Sequence, residues 1–204
     1  MEFRELTVPG AWEITPRLIG DPRGLFLEWF KAPDFGATVG HALDLQQVNC
    51  SVSAAGVVRG IHFADVPPGQ AKYVTCPSGA VLDIVVDIRV GSPTFGQWDT
   101  VLLDDVDRRA IYLSEGLGHA FVSLDDCSTV MYFCSTGYAP EREHGVHPLD
   151  PDIGIEWPTH DRRGRPLDLQ LSARDTVLPS FAEARASGLL PQHDEVVAFV
   201  ASLG

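Results

Sequence analysis

The strongest constraint on the fold is a run of alternating residues in the middle of the chain, at positions 81–89. Every second position from Leu82 to Ile88 is aliphatic, and the positions between them include Asp83 and Asp87. A repeat of two residues is the period of a β-strand, because successive side chains of a strand point to opposite faces of the sheet. The run therefore predicts a strand over Val81–Arg89.

Short apolar segments of the same kind occur from about residue 10 to residue 135. They are rich in the β-branched and aromatic residues that strands favour, and they comprise Val57–Phe63, Lys72–Cys76, Ala110–Leu113 and Thr129–Cys134. Turns are predicted at 91–94, 103–105 and 124–126, where Gly, Ser, Pro and Asp collect. Many short strands with no helix among them predict an all-β sandwich or jelly roll.

The last quarter of the chain differs from this β region. Residues 139–170 are rich in Pro, Asp, Arg and Gly, which predicts a long structured loop. Ser180 and Glu183 form a capping-box pattern that opens a short helix, which Gly188 ends, and a second apolar stretch covers Val196–Leu203. We therefore predict one domain, 1–204, with a barrel at about 10–138 and a loop and helical tail at about 139–204 that pack on the barrel.

Charge and composition narrow the classes of partner and compartment. The net charge of −13 argues against nucleic acid, which needs clustered cations. No stretch of about 18 apolar residues predicts a membrane-spanning helix. The start, Met1–Glu5, lacks the features of a signal peptide, so we expect the protein to stay where it is made. Four cysteines without Cys-x-x-Cys spacing indicate reduced thiols and a cytoplasmic location.

Several polar residues interrupt the predicted strands and form a candidate site. Only two of the 15 basic residues are lysines, and one of them, Lys72, opens an apolar strand. Burying a polar group is costly unless it is paired, so each such residue needs a partner or a task. Any one of them alone is more often a satisfied core residue. A base, a cation and a phenol together (His62, Lys72 and Tyr132) instead favour a proton-transfer site.

The spacing of two of these residues needs a local irregularity. Arg59 and His62 are three positions apart, so strict alternation would send them to opposite faces of the sheet. We expect Gly60 to allow a β-bulge between them.

A series of motifs, in order between about residue 10 and residue 190, gives the site a context. The motifs are Asp21–Glu28, Gln47–Asn49, Gly56–His62, Asp83–Arg89, Gly91–Gly96, Glu115–Phe121, Tyr132, Tyr138, Asp150–Pro158 and Leu171–Asp175. Together they resemble the dTDP-4-dehydrorhamnose 3,5-epimerase family, which includes 3-epimerases. The tail after Gln192 falls outside the resemblance.

The resemblance implies a homodimeric cupin jelly roll that acts on a dTDP-linked 4-keto-6-deoxy sugar without a metal or other cofactor. It implies four catalytic positions: the base His62, its supporting carboxylate Asp175, the cation Lys72 beside the C4 oxygen, and the general acid Tyr132. Asp150 is a second candidate for the carboxylate. Substrate contacts are implied for Arg23, Phe26, Glu28, Gln47, Asn49, Arg59, His119 and Tyr138, with Asp83 as support behind them.

The chemistry fits these residue types. A C4 ketone acidifies the hydrogens on C3 and C5, and histidine is a base with a pKa near neutrality. A lysine can stabilise the enolate oxygen. Inversion needs a proton on the opposite face from a different group, which Tyr132 supplies, and we expect the nearby Lys72 to lower the pKa of Tyr132.

Other functions remain open at this point. A metal-dependent cupin needs His-x-His, which is absent, and His144 and His147 are expected to be surface histidines. A non-catalytic sugar-nucleotide-binding protein would lack the base, the cation or the acid, whereas a ketoisomerase would use the same groups. Inversion at C3 alone and at C3 and C5 also need the same groups. The segments Pro67–Lys72 and Glu143–Pro148 resemble the antibiotic-sugar branch and favour C3 alone.

Overall fold

The computed structural model describes all residues, 1–204, and consists mainly of β-strands. In chain order the strands and helices are β1 Glu2–Glu5, β2 Ala11–Thr15, β3 Leu18–Asp21, β4 Gly24–Leu27, α1 Ala32–Val39, β5 Gln47–Ser53, β6 Val58–Ala64, β7 Lys72–Ser78, β8 Ala80–Val86, β9 Trp98–Asp104, β10 Ala110–Leu113, β11 Gly118–Ser123, β12 Ser128–Cys134, β13 Glu143–Gly145, a 3-10 turn Asp175–Val177, α2 Phe181–Ala186 and α3 His193–Ala201.

Two antiparallel sheets form a sandwich. One has the spatial order β1-β2-β10-β7-β12-β5, and the other β13-β6-β11-β8-β9, while β3 and β4 form a separate hairpin. Apolar side chains from both sheets, such as Val74, Val85, Leu103 and Val130, are fully or almost fully buried in one core cluster. The predicted all-β sandwich is confirmed.

The predicted strand over 81–89 ends three residues early, at Val86. The Asp87 carboxylate accepts hydrogen bonds from the Ser92 and Thr94 hydroxyls, at 2.6 Å each, and from the Arg89 guanidinium. These bonds fold residues 87–94 into a buried polar turn. The alternation therefore continues in the sequence past the point where the backbone leaves the sheet.

Helix α1 was not expected, and the prediction of no helix among the strands is wrong. Its interior residues Gly36 and Thr38 are poor helix formers, and the only signals are at its ends, where Pro33 lies in the first turn and Gly40 caps the last. Packing stabilises the helix instead: Phe35 is buried, with its ring centroid 4.8 Å from that of Tyr112.

The tail follows the predicted capping pattern. The Ser180 hydroxyl accepts a hydrogen bond from the Glu183 amide, and the Ser180 amide donates to the Glu183 carboxylate, so α2 begins with a complete capping box. Beyond it, the His193 amide donates to the Val90 carbonyl at 3.0 Å and ties α3 to the sandwich. No helix is both long and apolar enough to cross a membrane.

Candidate functional site

Two adjoining cavities between the sheets share three residues of the predicted site. The first has a volume of about 460 Å³, the second about 450 Å³, and His62, Lys72 and Tyr132 line both. Of the other predicted residues, Arg59, His119 and Asp175 line the first cavity, and Gln47, Asn49 and Tyr138 line the second. The base, the cation and the phenol therefore lie where the two cavities meet.

His62 lies on β6 and pairs with a buried carboxylate. Its Nε2 lies 2.7 Å from Asp175 Oδ1, and Asp175 is only 3% exposed. Burial alone would raise the pKa of Asp175, but the hydrogen bond and charge of His62, with help from Ser172 and Arg174, hold that pKa below its usual range. Asp175 is therefore an anion that fixes the orientation of the imidazole.

The alternative carboxylate, Asp150, has a different environment. Its Oδ2 accepts a hydrogen bond of 2.5 Å from the Phe181 amide at the start of α2, and its Oδ1 accepts one from the Asp152 amide. Both oxygens are thus occupied by backbone donors, and Asp150 lines neither cavity.

The bulge expected at Gly60 is present. The pairing of β6 with β11 shifts register between His119 and Phe121, opposite Gly60, and this brings Arg59 and His62 to the same cavity. Gly60 has φ +122°, and a Cβ there would lie 2.4 Å from the His119 carbonyl oxygen. Only glycine fits this position.

Lys72 and Tyr132 face His62 from the opposite sheet. They lie on the neighbouring strands β7 and β12, in which Cys134 pairs with Lys72. Burial lowers the pKa of Lys72, and the nearby Cys134, Glu143 and Glu115 partly oppose that fall. The expectation that Lys72 lowers the pKa of Tyr132 is wrong. Burial raises the pKa of Tyr132, and Arg59 is the cation that opposes the rise, so the phenol keeps its proton at neutral pH.

The remaining cavity residues have partners that hold them in place. His119 Nε2 lies 2.9 Å from Asp83 Oδ1, and Asp83 is fully buried, as expected of a supporting carboxylate. The side-chain Nε2 of Gln47 donates a hydrogen bond to Asn49 Oδ1 at 2.8 Å, and Gln47 Oε1 accepts one from the backbone amide of Tyr138 at 2.9 Å. These bonds link β5 to the chain segment that carries the exposed Tyr138 ring.

Three predicted substrate contacts lie away from both cavities. Arg23 and Phe26 belong to the β3–β4 hairpin, and Glu28 follows it. Arg23 pairs with Asp21 and is 89% exposed, Phe26 is 63% exposed, and none of the three lines either cavity. Within one copy of the chain, the structure does not bring them to His62.

Sequence reasoning missed several residues that line the cavities. Glu143 lines the second cavity beside Lys72 and Tyr132, and Ser172 and Arg174 line the first. Glu143 reaches the site only because β13 adds to the edge of β6, with Glu143 opposite Ala64. Ser172 and Arg174 could have been predicted from the sequence, because they lie in the same motif as Asp175.

Potential metal ligands are not gathered at the site. Among all 204 residues, no group of three or more His, Cys, Asp or Glu side chains is placed to hold a metal ion. His144 Nε2 instead lies 2.8 Å from Asp65 Oδ1, outside both cavities, and His147 Nδ1 accepts from the Leu149 amide.

Known proteins resemble this chain over nearly its whole length. The family model described as dTDP-4-dehydrorhamnose 3,5-epimerase matches residues 5–183. A dTDP-4-dehydrorhamnose 3,5-epimerase of Mycolicibacterium smegmatis is 63% identical over 203 residues, covering 100% of this chain and 97% of that protein. The alignment with this relative includes the tail after Gln192, so the expectation that the tail falls outside the resemblance is wrong for it.

Solved structures share the fold. The rmlC epimerase of Mycobacterium tuberculosis is 57% identical with a TM-score of 0.96, and the match covers 100% of both chains. ChmJ, a 3'-monoepimerase from Streptomyces bikiniensis solved in complex with dTDP-quinovose, is 46% identical with a TM-score of 0.92, covering 97% of each chain.

Proposed function

Because the chain belongs to the dTDP-4-dehydrorhamnose 3,5-epimerase family, we propose that it epimerises a dTDP-linked 4-keto-6-deoxy sugar such as dTDP-4-keto-6-deoxy-D-glucose. The curated relative of M. smegmatis and the solved ChmJ carry names of epimerases that act on such sugars or bind a dTDP-sugar. The same matches support an enzyme of the isomerase class with a cupin-like β-sandwich.

One observation carries the chemical proposal: the base and the acid lie on opposite sheets. His62 projects from β6 of one sheet, while Tyr132 and Lys72 project from β12 and β7 of the other, and all three line the same cavities. A sugar ring held between the sheets presents one face to His62 and the other to Tyr132. Inversion at carbon requires this arrangement, because the proton must leave one face and return to the other.

The proposed steps follow from these positions. His62 takes the proton from the carbon next to the C4 ketone, and the electron pair of the C–H bond moves onto the C4 oxygen as an enolate. The Lys72 ammonium stabilises that oxygen, and the Asp175 anion stabilises the imidazolium. Tyr132 then donates its proton to the opposite face of the carbon, the ketone re-forms, and the tyrosinate and imidazolium return to their starting states by exchange with solvent.

The nucleotide contacts are proposed from charge and shape. Arg59 and Arg174 line the first cavity, and guanidinium groups pair with phosphate oxygens through two parallel hydrogen bonds. His119, Gln47 and Asn49 offer hydrogen bonds to the nucleotide or sugar, and the exposed Tyr138 ring offers a stacking surface for a pyrimidine.

The carbon that is inverted distinguishes two versions of the function. We propose inversion at C3 as the common reaction. Inversion at C5 as well is a second candidate, because the relative named a 3,5-epimerase is 63% identical, whereas a 3-epimerase of Streptomyces niveus is 56% identical and the 3'-monoepimerase 46%. Reducing the product ketone with borohydride and assigning the sugars by proton coupling constants separates the two. A product with C3 unchanged would contradict both.

Removing the Asp175 charge is expected to slow catalysis without unfolding the protein. In Asp175→Asn the imidazole loses its anionic partner, so kcat should fall by up to about 10⁴-fold, as when the carboxylate behind a catalytic histidine is replaced by an amide. Asp150→Asn is the matched control. It should lower the melting temperature by weakening the start of α2 while leaving kcat near the wild-type value. The reverse pattern in steady-state kinetics would assign the supporting role to Asp150.

We propose a homodimer in which each copy completes the other's site. The hairpin carries Arg23 and Phe26 outside the cavities of its own chain and exposes Leu18, Ile19 and Leu25. The edge strand β5 exposes Val48 and Val52. Open apolar edges of this kind are normally covered. A second copy that packs on these surfaces would bring its hairpin residues toward the neighbouring site.

Mixing two inactive variants tests this arrangement. Arg23→Glu and His62→Ala should each be inactive alone, since one damages the hairpin and the other the base. In a mixed dimer, one site has an intact His62 and receives an intact hairpin from the other copy. Random exchange should therefore restore about a quarter of the wild-type activity. No recovery after exchange, confirmed by mass spectrometry of the mixed dimers, would contradict the shared site.

The compartment and the absence of a metal requirement also remain proposals. All four cysteines are free thiols, with Cys50 and Cys127 exposed, which fits a reducing compartment such as the cytoplasm. Full activity after dialysis against a chelator would support metal-free catalysis, and loss that a divalent metal restores would contradict it.

A further inference from the structure

A buried carboxylate that the proposed reaction does not use lies close behind Lys72. Glu115 is 3% exposed and lines neither of the two cavities that hold the proposed site. Charged side chains are rarely buried without a partner or a task. The contacts of Glu115 lead directly to the backbone beside Lys72.

One serine connects the two residues. The Ser135 hydroxyl donates to Glu115 Oε1 at 3.0 Å and accepts from the Ala71 amide at 2.8 Å. The Ser135 amide donates to the Ala71 carbonyl at 3.1 Å. Ala71 directly precedes Lys72, so the carboxylate fixes the backbone from which the lysine side chain leaves the sheet.

Strand register explains why these residues meet. Lys72 lies opposite Leu113 of β10 on one side and Cys134 of β12 on the other. In antiparallel pairing, the residue before Lys72 therefore meets the residues that follow Leu113 and Cys134. Ser135 directly follows Cys134, and Glu115 lies two residues after Leu113, so both come at the common end of three neighbouring strands.

The loop before β7 is also packed on this carboxylate. Gly69 has φ +68°, and a Cβ at that position would lie 2.5 Å from Glu115 Cγ. The Gly69 carbonyl accepts a hydrogen bond from the Thr136 hydroxyl at 2.9 Å. The chain that leads into Lys72 is therefore held on both sides by the Glu115 side chain and by residues next to Ser135.

Helix α3 closes the region from outside. A Cβ at Gly116 would lie 2.6 Å from Val196 Cγ2, so the helix approaches the backbone next to Glu115 very closely. Phe199 and Leu203 line a small cavity of about 140 Å³ together with Glu115 and Ser135. Excluding water lowers the local dielectric constant, so a charge here acts more strongly on its neighbours.

We propose that Glu115 is a positioning residue for Lys72: through Ser135 it holds the start of β7, and with it the backbone from which the Lys72 side chain reaches the substrate ketone. The titratable and charged groups around Lys72 come from both cavities and from the strands beside it, and they are His62, Tyr132, Arg59, His119, Arg174, Asp175, Glu143, Cys134 and Glu115. Burial lowers the pKa of Lys72, and Cys134, Glu143 and Glu115 oppose that change in decreasing order. The Cys134 thiol, whose pKa burial raises, is neutral near pH 7, so Glu143 and Glu115 are the remaining groups that oppose the fall in the pKa of Lys72.

The chain allows a direct measurement, because Lys31 and Lys72 are its only lysines. Protein labelled with ¹³C at the lysine side chains gives two titrating signals, and Lys31→Arg assigns them. In Glu115→Gln, which keeps the size and an acceptor for Ser135, the pKa of Lys72 should shift toward neutral pH. The kcat should fall by about tenfold, the low end of the cost of removing a group that orients a catalytic one, and should fall further as the pH rises.

Asp44→Asn is the matched control, because exposed Asp44 lines the same small cavity but bonds to Gln46 instead of Ser135. It should leave both the Lys72 signal and kcat unchanged. Ser135→Ala, which keeps the Glu115 charge, provides the second variant and should lower kcat. An unchanged pKa of Lys72 in folded Glu115→Gln, or wild-type kcat in Ser135→Ala, would overturn the proposal. The proposed role of Glu115 rests on the proposed function. The lysine spectra do not depend on turnover, so an inactive wild-type enzyme would refute the function without deciding the role of Glu115.

Discussion

His62→Ala is expected to lose turnover while it folds like the wild-type protein. His62 is the only histidine at the junction of the cavities with a carboxylate partner on one side and space for substrate on the other. General-base catalysis by a positioned side chain contributes about 10²- to 10⁴-fold, so kcat should fall by that factor. Exchange of the substrate C3 hydrogen with solvent should fall equally, because the same proton transfer starts both processes.

The chain contains a matched control for this variant. His144 also contacts a carboxylate, with Nε2 2.8 Å from Asp65 Oδ1, but it lies outside both cavities. His144→Ala therefore removes a histidine–carboxylate pair of the same geometry without touching the proposed base. It should keep near-wild-type kcat in a standard steady-state assay. Near-normal activity of His62→Ala would overturn the assignment of the base.

Tyr132→Phe is expected to separate exchange from inversion. The variant keeps His62, so the C3 proton still leaves, but no donor remains on the opposite face. The His62 side chain is 37% exposed and can trade its proton with solvent, so in deuterated water it returns a deuteron to the original face. Product formation should fall by about 10²-fold or more, while deuterium still enters the unreacted substrate.

Tyr112→Phe is the control for removing a tyrosine hydroxyl. Tyr112 is buried and lines neither cavity, so removing its hydroxyl should leave activity unchanged. Both variants can be followed by NMR of substrate and product in the same tube. If Tyr132→Phe loses exchange and inversion to the same extent, the tyrosine acts before or during proton removal and is not the separate acid.

The β-sandwich was predictable because its signal is local. Alternation in Val81–Val86 and the β-branched segments around His62 and Tyr132 mark strands from neighbouring residues alone, even though both faces of β8 are buried. The capping box at Ser180 is local for the same reason. Helix α1 was missed because its stability comes from the packing of Phe35 and not from helix propensity. The early end of β8 depends on a polar turn around Asp87, which alternation does not reveal.

The residue types of the candidate site were predictable from the sequence. The direction of the Tyr132 pKa shift and the chain segments that meet at the site were not. The pKa of Tyr132 rises because burial, which sequence does not give, outweighs the effect of Arg59. Glu143 joins the site through the pairing of β13 with β6, a contact between segments about 80 residues apart in the chain. Arg23, Phe26 and Glu28 have substrate roles in the family pattern, yet within one copy they lie away from the cavities. In the proposed homodimer, a second copy would bring these residues to the site.

The most direct test of the proposed chemistry is to incubate the wild-type protein with dTDP-4-keto-6-deoxy-D-glucose in deuterated water and follow C3 and C5 by NMR. Proton removal by His62 and delivery by Tyr132 predict deuterium at C3 together with an inverted centre. Deuterium and inversion at C5 as well would identify the double epimerase. Inversion at C3 with the original hydrogen retained, or no exchange at either carbon, would contradict epimerisation through an enolate between the two sheets.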